Sequence, residues 1–174
     1  ILSNTYTTCG LFDEALVHSE LAVQHLHDDP AAAYNHGLAL RHLGRIDEAI
    51  ECFETLIRTV PNHALAYFAL SACRRWTADN NHIEGIQAAL DSDGLPEIER
   101  ARLEYALFKE AHDVGDRELA WNALTEGARL AQAGTPYRLS ERTAFSISLA
   151  DHFQGGLDAP PIESDGPTPI FIVG

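Results

Sequence analysis

A seven-residue pattern that recurs after 34 residues limits the folds open to this chain more than any other feature. Residues 10–16 read GLFDEAL, residues 44–50 read GRIDEAI, and residues 115–121, GDRELAW, keep the glycine and the alanine five positions later. Glycine ends a helix because it tolerates positive φ. An acidic side chain favours the start of the next helix, and a small alanine lets two helices approach closely. The pattern predicts stacked pairs of antiparallel helices.

One complete pair is predicted between residues 30 and 63. Asp29 suits the N-cap position and Pro30 the first helical turn, while Pro61 stops the second helix. Hydrophobic periodicity and turn residues define the remaining elements. The helices are expected at residues 12–25, 31–43, 46–59, 64–76, 82–89, 97–114, 116–133 and 139–153.

The third pair departs from the pattern, because residues 77–81 (TADNN) stand where the glycine turn is expected and residues 91–96 read as a loop. The pattern therefore predicts an interrupted array followed by a different kind of segment. The divisions are residues 1–29, 30–63, 64–97 (irregular) and 98–134 for the helix pairs, 135–154 for a capping helix, 155–169 for a Pro/Gly linker and 170–174 for a strand.

The repeat resembles the tetratricopeptide repeat, whose period is also 34 residues. Five positions carry the resemblance: Gly37, Gly44, Ala49, Phe53 and Pro61. It implies an all-α fold, a right-handed superhelical solenoid of helical hairpins. Each pair cannot bury its apolar face alone, so stacking supplies the core.

The last residues, IFIVG at 170–174, have the apolar, β-branched character of a buried parallel strand that ends in glycine. Such a strand has no partner within the chain, and the chain contains no Met. We therefore expect a piece of a longer protein, with the partner sheet beyond residue 174. A strand that runs into glycine is also how phosphate-binding loops begin, which makes Gly174 a candidate for the start of one.

The order of these features resembles the bacterial sulfotransferases that carry an N-terminal tetratricopeptide array. The resemblance runs from Gly10 to Gly174 and includes the segments YALFK (105–109), GDRELAW (115–121) and EGARL (126–130). It implies sulfuryl transfer from 3′-phosphoadenylyl sulfate (PAPS) in the parent protein. Only Gly174 of the family's phosphosulfate loop could be present, so the resemblance implies a non-catalytic scaffolding segment with no cofactor of its own.

The net charge limits the classes of partner, and the cysteine content indicates the redox compartment. The formal net charge of −14 repels phosphate backbones and acidic membranes, so neither nucleic acid nor a membrane is expected as a partner. No stretch is apolar enough to span a bilayer. Cys9, Cys52 and Cys73 are widely spaced, which favours buried thiols in a reducing, cytoplasmic compartment over disulfides or zinc.

No catalytic or metal-binding pattern is visible. His25 and His27 are two residues apart and His36 and His42 six apart, so neither pair has the i,i+4 spacing of helical metal ligands. Ser140 and Ser146 lack a nearby His/Asp arrangement. We expect no metal and no catalytic residue. Trp76 and Trp121 are expected to be structural, with Trp121 packed between helices.

The first helix of each pair is expected to line a concave groove that binds an extended peptide. Aromatic and basic side chains there would suit an acidic or aromatic-containing peptide. In the alternative, Tyr34 and Phe68 pack between helices and the arginines pair with local carboxylates. The groove residues by the 34-residue register are Tyr34, Leu38, Arg41, Phe68, Ala72, Arg75, Arg102, Tyr105 and Lys109. Tyr34 and Leu38 replace the Lys and Asn of the clamp that binds chaperone tails, which argues against membership of that subgroup.

Three functions remain open at this point. The first is an interaction array that presents acceptors to a sulfotransferase domain or mediates homo-oligomerisation. The second is a free-standing adaptor that binds a peptide. The third is an array in front of a P-loop nucleotide-binding domain, which would need Gly-Lys-Ser/Thr soon after Gly174.

Overall fold

The computed structural model describes residues 2–26, 28–134, 143–144 and 147–148. This part of the chain is all-helical, as predicted, and its first 134 residues belong to the first of two units, Ile1–Pro136. None of its helices combines the length and apolar character needed to cross a membrane. The helices are α1 (Leu2–Thr8), α2 (Phe12–His25), α3 (Pro30–His42), α4 (Ile46–Thr59), α5 (Ala64–Ser71), α6 (Ile83–Leu90), α7 (Glu97–Val114) and α8 (Arg117–Gly134).

Local sequence signals set most helix boundaries. The Asp29 carboxylate accepts a hydrogen bond of 2.9 Å from the Ala31 amide, so Asp29 caps α3 with Pro30 at its first position. Gly10, Gly44 and Gly115 have φ of 75°, 76° and 89°, as their places between paired helices require. The predicted bounds of α2, α4 and α7 are confirmed, and those of α3, α6 and α8 differ by one residue at each end.

Close packing joins α3 to α4. A Cβ atom on Gly37 would lie 2.6 Å from the Phe53 ring, so glycine is what admits the buried ring. The Cys52 thiol, midway along α4, donates to the carbonyl of Ala33 in the first turn of α3 at 3.2 Å. Ala49, the predicted small contact residue, is fully buried. The sequence pattern is thus expressed in the packing of this pair.

The helices also contact one another beyond neighbouring pairs. Each of α1, α2, α3 and α4 packs against the next, α7 packs against α5, α6 and α8, and contacts join α1 to α3 and α3 to α5. The odd-numbered helices therefore adjoin one another. Two apolar clusters result: one contains Phe53, Leu70 and Trp76, and the other contains Tyr67, Ile86 and Leu103. Helix α5 contributes to both.

Three local expectations are wrong. Helix α5 ends at Ser71, not at Trp76, because the chain turns back and the Trp76 indole donates to the Ser71 carbonyl at 3.1 Å. Trp121 is 68% exposed and does not pack between helices. The Cys9 thiol is exposed, whereas Cys52 and Cys73 are half-buried, and all three are free.

The C-terminal predictions lie outside the described residues. These are most of the capping helix at 135–154, the linker at 155–169, the strand at 170–174 and Gly174 itself. They stay predictions, as does the division of the helices into repeat units.

Candidate functional site

The residues expected to line a groove lie on or just after α3, α5 and α7, which adjoin one another. Tyr34 is half-buried on α3, and its ring packs against Phe53 and His63 with centroid distances of 6.0 and 5.8 Å. Burial raises the pKa of the Tyr34 hydroxyl, against the opposing positive charges of Arg41 and Arg102. Tyr34 is thus first a packing residue, and Arg41, Arg102 and Glu99 place charges of both signs near it.

Three of the basic side chains on this face have local partners. Arg102 forms an ion pair with Glu99, and Lys109 pairs with Asp113. The Arg41 guanidinium donates to the Ala69 carbonyl at 3.4 Å. A ligand would have to displace or extend these contacts, so these cations are less available than their positions suggest.

Phe68, Ala72 and Arg75 are the exposed members of the expected groove. Phe68 is 45% exposed on α5, Ala72 follows one turn later, and Arg75 is exposed beyond the end of the helix. The other two expected groove residues are more enclosed. Leu38 packs on the first apolar cluster, and a Cβ added to Gly127 of α8 would lie 3.5 Å from the Tyr105 ring.

A buried polar cluster lies behind this face, in the segment that replaces the expected turn. We call residues 72–82 the crossover segment. His82, at its end, donates its backbone amide to Glu110 Oε2 at 2.5 Å, and its Nδ1 lies 3.0 Å from Glu110 Oε1. On the other side of the ring, Nε2 lies 3.5 Å from Glu54 Oε1. His82 therefore connects α4 and α7.

The electrostatics of this cluster favour a charged imidazole. Burial alone would lower the pKa of His82, but the hydrogen bond and negative charge of Glu110, helped by Glu54, outweigh it and raise the pKa above its ordinary value. The Glu110 side chain is 1% exposed and the His82 side chain 13%. A carboxylate this deeply buried requires a partner, and His82 supplies it.

Trp76 fixes the middle of the crossover segment. Its amide donates to Asp113 Oδ2 at 3.0 Å, and its ring meets the His82 ring edge-on at 4.6 Å. The Arg74 guanidinium lies 4.5 Å from the indole centroid on the other side. Hydrogen bonds from Lys109 and the Trp76 amide lower the pKa of Asp113 against the effect of its burial. The segment is therefore fastened by several charged or polar contacts.

A cavity of about 630 Å³ lies among α2, α3 and α4 and contains no activated nucleophile. His36, in its wall, lies 3.1 Å from the Ser19 hydroxyl, and burial lowers its pKa. Burial raises the pKa of the Cys52 thiol. A neutral histidine beside a hydroxyl that already donates to Leu16 is not a general-base pair. No group of three potential metal ligands occurs among the residues that the structure describes.

Sequence reasoning missed the His82–Glu110 pair, although one signal was present. Glu110 lies in register with Leu103 and Leu107 on α7, so it occupies a position that the helical period assigns to the core. A carboxylate at such a position implies a buried partner. The partner itself lies 28 residues away in the sequence, beyond any local pattern.

Comparison with protein-family models finds no match, and comparison with curated proteins finds none either. Fold and site together define an all-helical protein in which successive helices pack against one another and Phe68 and Arg75 are exposed.

Proposed function

We propose that residues 1–134 are a tetratricopeptide-type interaction array that binds a protein or peptide through the face of α3, α5 and α7. One observation supports this best: helices separated by glycines at the repeated position pack with their odd-numbered members adjacent. The repeat's binding mode requires a continuous face from the first helix of each pair, and the adjacency of these helices supports the proposal.

The chemistry of the face favours an acidic peptide that carries an aromatic residue. Phe68 offers an exposed ring on α5, and Arg75 offers an exposed cation four residues beyond the end of that helix. Arg41 and Arg102 add positive charges near Tyr34, opposed there by the charge of Glu99. Arg75 is exposed in a chain whose formal net charge is −14, and an exposed cation of this kind suits an acidic ligand.

A binding measurement with matched charge reversals tests this proposal. The probe is a fluorescent library of acidic peptides, each with one Phe, Tyr or Trp, and anisotropy gives the Kd. We expect Arg75→Glu and Phe68→Ala each to weaken the best binder about tenfold, the loss typical of an interface anchor. Arg58→Glu makes the same charge change at an exposed site on α4 and serves as the control. Equal affinities for the Arg75 and Arg58 variants would rule out this face.

We further propose that the array is the scaffolding segment of a PAPS-dependent sulfotransferase. The support is the order of sequence segments and the IFIVG run at 170–174, which resembles the strand before the phosphosulfate loop. The codons after Gly174 in the parent gene test this directly. An Arg-Ser-Gly-Thr-Thr loop supports the sulfotransferase, Gly-Lys-Ser/Thr would indicate a P-loop protein instead, and a stop codon would indicate a free-standing adaptor.

A further inference from the structure

One titratable side chain, His82 at the end of the crossover segment, lies between two carboxylates. His82 Nδ1 faces Glu110 on α7, and His82 Nε2 faces Glu54 on α4, at 3.0 and 3.5 Å. A protonated imidazole donates from both nitrogens, so both contacts can be hydrogen-bonded ion pairs at once. We refer to His82, Glu54 and Glu110 as the His82 clasp.

We propose that the His82 clasp is a pH-sensitive device, which fixes the crossover segment while the imidazole is protonated and loosens it when the proton is lost. A neutral imidazole has a single N–H, so only one carboxylate can keep its donor. The other nitrogen then presents a lone pair to a negative oxygen. The geometry around His82 therefore suits the charged form alone.

The unequal burial of the two carboxylates determines what happens after deprotonation. The Glu54 side chain is 38% exposed, so it can turn to water. Glu110 is almost fully enclosed and would keep the His82 amide and one imidazole N–H but lose its counter-charge. A buried charge without compensation is strongly unfavourable. If the crossover segment moves away from α7, water reaches Glu110 and the unfavourable free energy of its uncompensated charge is reduced.

The other charged and titratable groups near the clasp do not replace the lost cation. On α7, Lys109 is paired with Asp113. On α5, the Tyr67 hydroxyl is an acid whose pKa is raised by burial and by the charge of Glu110. Within the segment, Arg74 lies over the outer side of the Trp76 ring. His82 is thus the cation that compensates Glu110.

The direction of the pH effect follows from the raised pKa of His82. The stabilisation is fully present below the ordinary histidine value of about 6.5 and is lost as the pH rises through the raised value. His36, His42 and His63 have the opposite behaviour, because burial lowers their pKa values. The His82 clasp is therefore distinguishable from these three histidines by the direction in which stability changes with pH.

The two tryptophans provide the measurement. Trp121 is exposed, so Trp121→Phe leaves Trp76, in edge contact with His82, as the single indole. In this full-chain background we expect the His82 ring to titrate by NMR above the ordinary histidine value. The emission of Trp76 should shift to longer wavelength over the same pH interval, as water enters the loosened segment.

Three further variants complete the test. His82→Gln should abolish the emission transition, whereas His36→Gln should leave it in place. Glu54→Gln removes only the exposed partner and should move the midpoint to lower pH, which decides the question if His82→Gln does not fold. Emission that stays constant while His82 titrates, a transition that survives in His82→Gln, or an unchanged midpoint in Glu54→Gln would each overturn the proposal.

Discussion

The regular pair α3–α4 and the irregular region from α5 to α6 fill their interiors by different means. In the regular pair, Gly37 admits the Phe53 ring and Ala49 completes an apolar contact. In the irregular region, Trp76 is buried, but it contacts the His82 ring and the Asp113 carboxylate. The packing of the regular pair can be predicted from the sequence repeat. The packing of the irregular region depends on a network of buried polar groups, each of which needs a hydrogen-bond partner. The comparison shows that the irregular region places titratable groups against its buried tryptophan, whereas the Gly37–Phe53 contact of the regular pair is apolar.

The largest expected effect is on stability, from removal of the Trp76 side chain. It tests whether the buried indole stabilises the irregular region, as the buried Phe53 ring stabilises the regular pair. Trp76→Ala removes a fully buried indole and should lower the free energy of unfolding by about 3–5 kcal/mol. Urea denaturation followed by circular dichroism measures this. Trp121→Ala is the matched control, and its effect should stay within about 0.5 kcal/mol because the ring is exposed. Similar losses in the two variants would contradict the contrast.

A second experiment compares two glycines at close contacts. Gly37→Ala places a methyl group against the enclosed Phe53 ring, whereas Gly85→Ala meets only the hydroxyl tip of Tyr67 at 2.7 Å. Overpacking of about 1–3 kcal/mol should exceed the roughly 1 kcal/mol gained by removing a helical glycine, so Gly37→Ala loses about 1 kcal/mol. Gly85→Ala should be closer to neutral, because a ring tip can shift. Thermal unfolding of both variants would show the opposite order if this is wrong.

Removal of the N-cap of α3, in the regular pair, should have a smaller effect on stability. Asp29→Ala removes the carboxylate that accepts from the Ala31 amide and should lower stability by about 1 kcal/mol. Asp29→Asn retains an acceptor and should recover most of it. Chemical denaturation of the three proteins in parallel separates loss of the cap from loss of the charge.

The smallest expected effect is a change of stability with pH that has the opposite sign to the change expected from the His82 clasp. The His63 ring caps α5 by accepting from the Ala66 amide at Nδ1, and burial lowers its pKa. This contribution is present above the ordinary histidine value and is lost as the pH falls through the lowered one. His63→Asn keeps an acceptor but does not titrate, so its stability should decline less than the wild type on acidification below about pH 6.5. Parallel declines in the two proteins would contradict the role of His63.

Much of the fold could be predicted because its signals are local. The bounds of α2, α4 and α7 follow from the positions of glycine, proline and acidic residues, and the structure confirms them. The end of α5 could not be predicted in this way. Residues 72–76 have no strong helix breaker, and the chain leaves the helix because the Trp76 indole gains a buried place and a bond to Ser71.

The candidate site was predictable only in part. The 34-residue register places Tyr34, Phe68 and Arg75 on adjoining elements, but it says nothing about which side chains are already engaged. Arg102 and Lys109 are paired with carboxylates three and four residues away, which is visible as a possibility in the sequence and becomes definite only in the structure. The exposure of Trp121 could not be predicted from the sequence either, because it depends on which elements pack around the side chain.

The sequence by itself determined the helical pairs, because their glycines, caps and apolar spacings act over a few residues. Tertiary structure alone decided the irregular region. There His82 reaches Glu110 across 28 residues, and Trp76 reaches Asp113 across 37. Such contacts exist only after the helices have packed, since a buried carboxylate is tolerated only where a donor from another element meets it.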